Sequence, residues 1–255
     1  MAGAAILSGL AAFRAGTGLL TIAAPESSIL AFQSAVPEAL TISLGSVNAN
    51  DSVKQISSYI QNRKVKSVLI GNGLGTGNTQ KAILEYVLES KEIERLVLDA
   101  DALNILSEDK KLRLKLKNCG KDMILTPHIG EASRILNLEP SEIKQEKINV
   151  AKELEKTTGG IVVLKDAVSI ISTPDNEIWV NTTGSPVLAK GGSGDVLAGL
   201  IAGLFTSGYD ALSSAIIGCY LLGKAAEIYE QRFSSESAFA REIISILPEA
   251  WKFDV

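Results

Sequence analysis

Gly184, Gly191, Gly192 and Gly194 crowd the segment NTTGSPVLAKGGSGDVLAGL (181–200), and Asp195 directly follows the last of them. Glycines let a backbone turn its N–H groups toward an anion. The N-terminus of the apolar helix that begins here adds the positive end of its dipole. A carboxylate in that first turn can accept a proton from an attacking hydroxyl without binding the anion itself. The chemistry indicated is phosphate binding with proton abstraction beside it. A simple N-terminal helix charge would account for Asp195, but not for four glycines and a long apolar helix. The loop is not a Walker A motif: no G-x-x-x-x-G-K-[ST] occurs, and Lys190 precedes the glycines, whereas the Walker lysine follows them.

Four weaker signals follow strand-like runs. GNGLGTG (71–77) follows SVLI, but the G-x-G-x-x-G spacing fails from both Gly71 and Gly73, so a tight strand-to-helix turn accounts for it nearly as well as a dinucleotide site. In LDADAL (98–103), Asp99 and Asp101 end a strand. They could hold Mg²⁺ through water or orient a sugar. Asp101 fits a helix cap, which leaves Asp99 as the better functional candidate. His128, in TPHIGE, also follows a buried strand, and Glu131 opens the next helix. LKDAVS (164–169) lies between two edge strands and could reach over a nucleotide, although on its residues alone a surface hairpin is favoured.

The elements that must position these groups read as follows. A small-residue helix over 3–16 is closed by Gly16 and Gly18. Strands are predicted at 19–24, 39–44, 67–70, 95–98 and 123–125, and helices at 27–34, 52–61, 81–90, 102–106, 130–137 and 141–157. Continuous apolar strands alternating with helices belong to a parallel sheet covered on both faces. Three close strands follow (161–164, 168–172, 177–180), with a polar turn at Pro174–Asn176, and predict antiparallel pairing at one edge. Helices at 194–207, 209–230 and 236–247 finish the chain. One α/β domain over 1–255 is the simplest organisation.

Composition narrows the partners. The chain has 255 residues, is 46% hydrophobic and carries a net charge of −4. That balance gives neither nucleic acid nor an anionic membrane a basic surface to meet. Cys119 and Cys219 lie outside any C-x-x-C motif and read as reduced thiols of a cytoplasmic protein. His128 is the only histidine, which disfavours structural zinc. The apolar stretches 196–205 and 211–226 fall short of a membrane span of ~20 residues, and the N-terminus carries no signal-peptide pattern.

Taken in order, GNGLGTG, LDADALNIL, LTPHIGEASRIL, VVLKDAVSII and NTTGSPVLAKGGSGDVLAGLIAGL resemble the NAD(P)H-hydrate dehydratases of the ribokinase-like superfamily across essentially the whole chain. The resemblance implies a lyase built on a kinase scaffold. ADP or ATP, with Mg²⁺, phosphorylates the hydroxyl of a hydrated nicotinamide ring, and elimination of phosphate restores NADH or NADPH. It implies Asp195 as the base, with Gly191, Gly192, Ser193 and Gly194 around the transferred phosphoryl group. Lys165, Asp166, Ala167, Val168 and Ser169 would contact the nucleotide, and Ala4, Gly75 and His128 would line the hydrate pocket with Asp195. A homo-oligomer, a tetramer, is expected, because the small-residue first helix offers an apolar face; functional pairing with an NAD(P)H-hydrate epimerase is also implied. A hydroxyethylthiazole-type kinase is the alternative that shares the GSGD loop; a nicotinamide oxidoreductase and a catalytically inactive nucleotide-binding module are weaker ones.

Two positions depart from the family pattern: Asp166 and Lys190 stand where glycine or a small residue is common. Members also begin with a further apolar strand and a Gly/Ser-rich loop before the helix that here starts near Gly3. A truncated or atypical chain is expected, with exposed sheet edge and reduced stability or activity; some members of the family carry a fused epimerase domain upstream.

Overall fold

Strand and helix alternate through the first two-thirds of the chain, as the run lengths predict. The computed structural model describes residues 1–45 and 48–252. Its elements are α1 (Ala2–Arg14), β1 (Thr21–Pro25), α2 (Glu26–Ala35), β2 (Leu40–Leu44), α3 (Ala49–Arg63), β3 (Ser67–Ile70), α4 (Asn78–Glu89), β4 (Arg95–Leu98), α5 (Asp101–Glu108), α6 (Lys110–Lys117), β5 (Asp122–Leu125), α7 (Ile129–Leu136), α8 (Pro140–Gln145) and α9 (Lys147–Thr158). Then come β6 (Ile161–Leu164), β7 (Ser169–Ser172), β8 (Ile178–Asn181), α10 (Ser193–Thr206), α11 (Ala211–Glu230) and α12 (Ala240–Ala250).

Six strands run in the order β3-β4-β5-β6-β7-β8. The first four are parallel, and β7 and β8 add the expected antiparallel edge. The parallel register aligns Ile70 with Leu98 and Leu98 with Leu125. Gly71, Asp99 and Thr126 therefore leave the sheet side by side at its C-terminal edge, where open α/β sheets bind ligands.

Alternate strand residues feed two cores. Val97, Ile124, Val163 and Ile171 pack with α10, α11 and α12, while Leu96, Leu98, Met123, Leu125, Val162 and Leu164 pack with α4, α5, α7 and α9. Both faces are covered, so the strands read as unbroken apolar runs rather than alternating ones.

Helix α10 is held by close backbone contact. A Cβ on Gly199 would stand 2.2 Å from Ser8 O of α1, and one on Gly203 would stand 2.6 Å from Ala12 O. At its far end Arg95 donates to Phe205 O and lies over the Phe205 ring, a cation at the negative end of the helix dipole. The small residues of α1 are thus used within the chain. The first turns, with Ala2, Gly3, Ala4 and Ala5, remain partly exposed.

The structure corrects four expectations. β1 and β2 form a separate two-stranded parallel sheet, and among the described residues β1 pairs only with β2 and β3 only with β4. The segment 141–157 is two helices, broken at Glu146 (φ −126°, ψ 39°). Helix α6 (KKLRLKLK) was missed because its charges hide two buried leucines, Leu112 and Leu116; Asp109 caps it by accepting from Lys111 N and Leu112 N. The last helix starts at Ala240, where Glu242 accepts from Phe239 N at 2.8 Å, rather than at 236.

Helix α11 has the length and composition of a membrane span, with 20 residues and mean hydropathy 1.3. It exceeds the 16-residue stretch read from the sequence. In the fold Ala215, Cys219, Leu222, Ala226 and Tyr229 bury it in the core.

Candidate active site

The ends of β3, β4, β5 and β6 and the start of α10 bring the sequence candidates to one place. Gly192 is the N-cap of α10, with φ +97°, and no side chain caps the helix. Ser193 N donates to Lys190 O at 3.3 Å, and no side chain caps the Gly194 and Asp195 N–H groups that follow, the condition an anion site at a helix start requires. The positive φ favours glycine at 192, and a Cβ there would also have to displace Leu7 Cδ1, 2.6 Å away. Asp195 lies in that first turn and is half-buried. Burial raises its carboxyl above the ordinary aspartate range. Asn72 pulls it down, Asp99 adds to the rise, and Lys165 opposes it.

Asn72, in the loop after β3, donates from Nδ2 to Asp195 Oδ1 at 2.6 Å and to Asp99 Oδ2 at 3.0 Å. Asp99 is only 2% exposed. Its Oδ1 also accepts from Thr126 Oγ1 at 2.8 Å and from Lys165 Nζ at 2.6 Å. With three protein donors and almost no exposed surface, Asp99 offers no open edge to hydrated Mg²⁺, so the water-bridged metal role expected for it is set aside. Sequence reasoning noticed Asn72 only as a member of a glycine loop and passed over Thr126; neither has a type or spacing that marks it out.

Asp101 does not cap its own helix, which has no side-chain cap. Its Oδ2 instead accepts from Gly75 N at 2.7 Å and pins the 71–77 loop. Glycine is obligatory at 71, where φ is +128° and a Cβ would stand 1.7 Å from Asp99 O. Between the two carboxylates Ala100 adopts φ 49°, ψ −117°, a region that strains any residue with a Cβ.

His128 caps α7 with its ring. Nδ1 accepts from Gly130 N at 2.9 Å and Glu131 N at 3.3 Å, and Glu131 Oε2 accepts from His128 N at 2.9 Å. An Nδ1 that accepts cannot carry the proton, so the ring is the Nε2–H tautomer. Burial lowers the imidazole pKa, with Lys165 adding to the effect, and burial pushes the Glu131 carboxyl up to about 7. Glu131 Oε1 lies 3.4 Å from Nε2. Both shifts favour the uncharged forms, so this contact is not an ion pair near neutral pH. The exposed Nε2–H is a donor at the rim of the site.

The 165–169 strip hangs from β6, with Lys165 N donating to Pro127 O at 2.8 Å. Lys165 Nζ also faces α10: a Cβ on Gly194 would lie 3.3 Å from it. The acid at 166 does not face this centre. Asp166 pairs with Lys147 of α9, which holds its carboxyl below the usual range. Ala167 and Val168 are exposed, and Ser169 begins β7. An open depression of about 430 Å³ beside the strip is lined by Lys144, Lys147, Ile148, Val168 and Ile170; Asp195 is not among its walls. Lys190 leaves the glycine loop and donates to Glu236 O at 2.8 Å. Ala4 sits in the first turns of α1, whose terminal amine donates to Gly73 O at 2.7 Å.

Among the described residues no cluster of three or more His, Cys, Asp or Glu side chains could cage a metal ion. That fits Mg²⁺ carried on nucleotide phosphates, its common mode, and does not fit a protein-only metal centre.

Comparison with known proteins gives the family. A family model described as NAD(P)H-hydrate dehydratase matches residues 1–249. An ADP-dependent (S)-NAD(P)H-hydrate dehydratase of Neisseria meningitidis is 36% identical over 174 residues, 68% of this chain and 58% of that protein. A bifunctional NAD(P)H-hydrate repair enzyme of Dictyoglomus turgidum is 30% identical over 97% of this chain and 48% of its own length. The chain thus spans about half the length of these two relatives. The crystal structure of the Bacillus subtilis ADP/ATP-dependent NAD(P)H-hydrate dehydratase, co-crystallized with ATP/Mg²⁺, superposes with a TM-score of 0.80 at 30% identity, covering 99% of this chain and 85% of that one. A family match over nearly every residue, joined to the same fold at that identity, means that the chain belongs to the NAD(P)H-hydrate dehydratase family.

Proposed function

We propose that the protein dehydrates the S epimer of hydrated NADH or NADPH, using ADP or ATP as phosphoryl donor. The observation that carries this reading is the uncapped start of α10, with the Asp195 carboxylate in its first turn and the Lys165 ammonium against Gly194. The N–H groups of Gly191–Gly194 receive the transferred phosphoryl group, and Lys165 offsets its charge. Asp195 takes the proton of the ring hydroxyl as that oxygen attacks the terminal phosphorus and the bond to the nucleotide breaks. The ring C–O bond then breaks, phosphate leaves, a ring proton is lost and the double bond returns. Mg²⁺, when bound with the nucleotide, neutralises phosphate charge. Residues 165–169 hold the nucleotide. His128 offers its Nε2–H to the nicotinamide end of the hydrate, and Ala4 and Gly75 leave room for it.

The length shared with the bifunctional relative supports functional pairing with an NAD(P)H-hydrate epimerase. A cytoplasmic homotetramer belongs to the same reading, and sedimentation analysis tests the assembly.

The direct test is incubation with hydrated NADH, Mg²⁺ and ADP or ATP, followed at the reduced-nicotinamide absorption band and by free phosphate. A nucleotide-dependent rise in both is expected, and the better donor is thereby identified. Release of a stable phosphorylated alcohol from another substrate, with no rise, would instead assign a kinase.

A further inference from the structure

Asn72 joins two carboxylates that are distant in sequence, and it does so from one nitrogen, at 2.6 Å to Asp195 Oδ1 and 3.0 Å to Asp99 Oδ2. Carboxylates only accept, so the amide orientation is fixed with Nδ2 toward them. The remaining atom, Oδ1, is buried and has no hydrogen-bond partner. An unmet buried acceptor destabilises a fold, so packing alone does not account for an asparagine here. Asp195 Oδ2, by contrast, has no hydrogen bond among the described residues and is left for a ligand.

We propose that Asn72 is a positioning residue, which clamps Asp195 through Oδ1, presents Oδ2 to the substrate hydroxyl and ties the base to the Asp99–Lys165 pair. The chain Lys165–Asp99–Asn72–Asp195 then fixes the phosphate-side ammonium and the base relative to each other, through three hydrogen bonds across four separate segments. This rests on Asp195 being the base. Asp99, Asp101 and Lys165 are the charged groups that act on it, the two carboxylates opposing its ionisation and the lysine favouring it.

Two variants separate clamping from packing. Asn72→Leu keeps the branching at Cγ and the number of heavy atoms and removes both the donor and the unmet acceptor, so a packing role predicts little loss of stability with unchanged turnover. Clamping predicts that kcat falls about 100-fold while KM for the hydrate stays within about threefold. Asn72→Asp keeps the shape but turns a third carboxylate toward two others, and clamping predicts a larger loss than for Leu.

A third readout needs no turnover: the carbon-13 carboxyl titration of Asp195, assigned with Asp195→Asn. Its midpoint is expected to rise in Asn72→Leu, because the hydrogen bond that favours the carboxylate is gone. A midpoint raised in Asn72→Leu, together with a wild-type protein that does not act on hydrated NADH, would uphold the clamp and reject the reaction. An unmoved midpoint together with unchanged kcat in a folded Asn72→Leu variant would overturn the clamp, whatever the reaction. Should Asn72→Asp not fold, the Leu variant decides alone.

Discussion

Lys165 Nζ lies 2.6 Å from Asp99 Oδ1 and, on its other side, against the first turn of α10, 3.3 Å from where a Cβ on Gly194 would stand. One ammonium is both the counter-charge of a buried carboxylate and a neighbour of the phosphate cradle. Lys165→Met leaves Asp99 buried and unpaired, which costs about 3–5 kcal/mol. Lys165→Met with Asp99→Leu removes both charges and is expected to recover most of that stability, but not nucleotide affinity. Urea unfolding and calorimetric titration with ADP and ATP measure the two separately. A double variant that binds nucleotide as well as wild type would confine Lys165 to a structural role.

Gly199 is a test of how α10 is held. A Cβ there meets Ser8 O and Cα at 2.2 and 2.7 Å, backbone atoms that cannot rotate away. Gly199→Ala is expected to destabilise by more than about 2 kcal/mol and to lower activity, because displacing α1 from α10 also shifts Leu7 against Gly192. Gly191, where a Cβ meets nothing within 4 Å, is the control: Gly191→Ala leaves stability within about 0.5 kcal/mol. Thermal unfolding of both variants makes the comparison, and a neutral Gly199→Ala would mean that the two helices are not in backbone contact.

These contrasts show what could be read from the residues alone. The alternation of apolar strands with helices was legible because both sheet faces are covered, and the parallel register then brings Gly71, Asp99 and Thr126 together with no further instruction. The uncapped helix start that holds Asp195 was legible because glycine spacing is local. What escaped was pairing between distant segments: the Asn72 bridge, the Lys165–Asp99 pair, the Lys147–Asp166 pair and the turn of Asp101 away from its own helix to Gly75. No local period encodes these contacts. The split between β1–β2 and the larger sheet escaped for a related reason, since a strand's own sequence does not name its neighbour.

Glu131 gives the fold a pH-dependent term. Burial pushes its carboxyl up to about 7, against about 4.3 in an unfolded chain. The folded state therefore binds the extra proton between those values. Its contribution to stability is full below about pH 4.3, is lost as pH rises to about 7 and is flat above, about 4 kcal/mol in all. Glu131→Gln can still accept from His128 N and removes the titration. Wild type minus variant stability, by urea unfolding from pH 5 to 8, is expected to fall with pH and then level off. A difference that stays constant would place the Glu131 pKa outside that range.

As the proposed base, Asp195 is expected to set the acid limb of activity. A base works only when deprotonated, and burial, reinforced by Asp99, raises its carboxyl above the ordinary aspartate range. The fall of kcat/KM at low pH should therefore come at a higher pH than for an exposed aspartate, although Asn72 and Lys165 limit the rise. Asp195→Asn removes the proton acceptor but leaves the N–H groups of the α10 first turn in place. It is expected to lower kcat about 10²–10⁴-fold, abolish the acid limb in the residual rate and leave nucleotide affinity within about threefold. Rate–pH profiles with hydrated NADH and direct nucleotide titration measure these effects. If Asp195→Asn turned over like wild type, the proton would have to go to another group, and among the described residues Asp99, with its oxygens held by Asn72, Thr126 and Lys165, is poorly placed to take it.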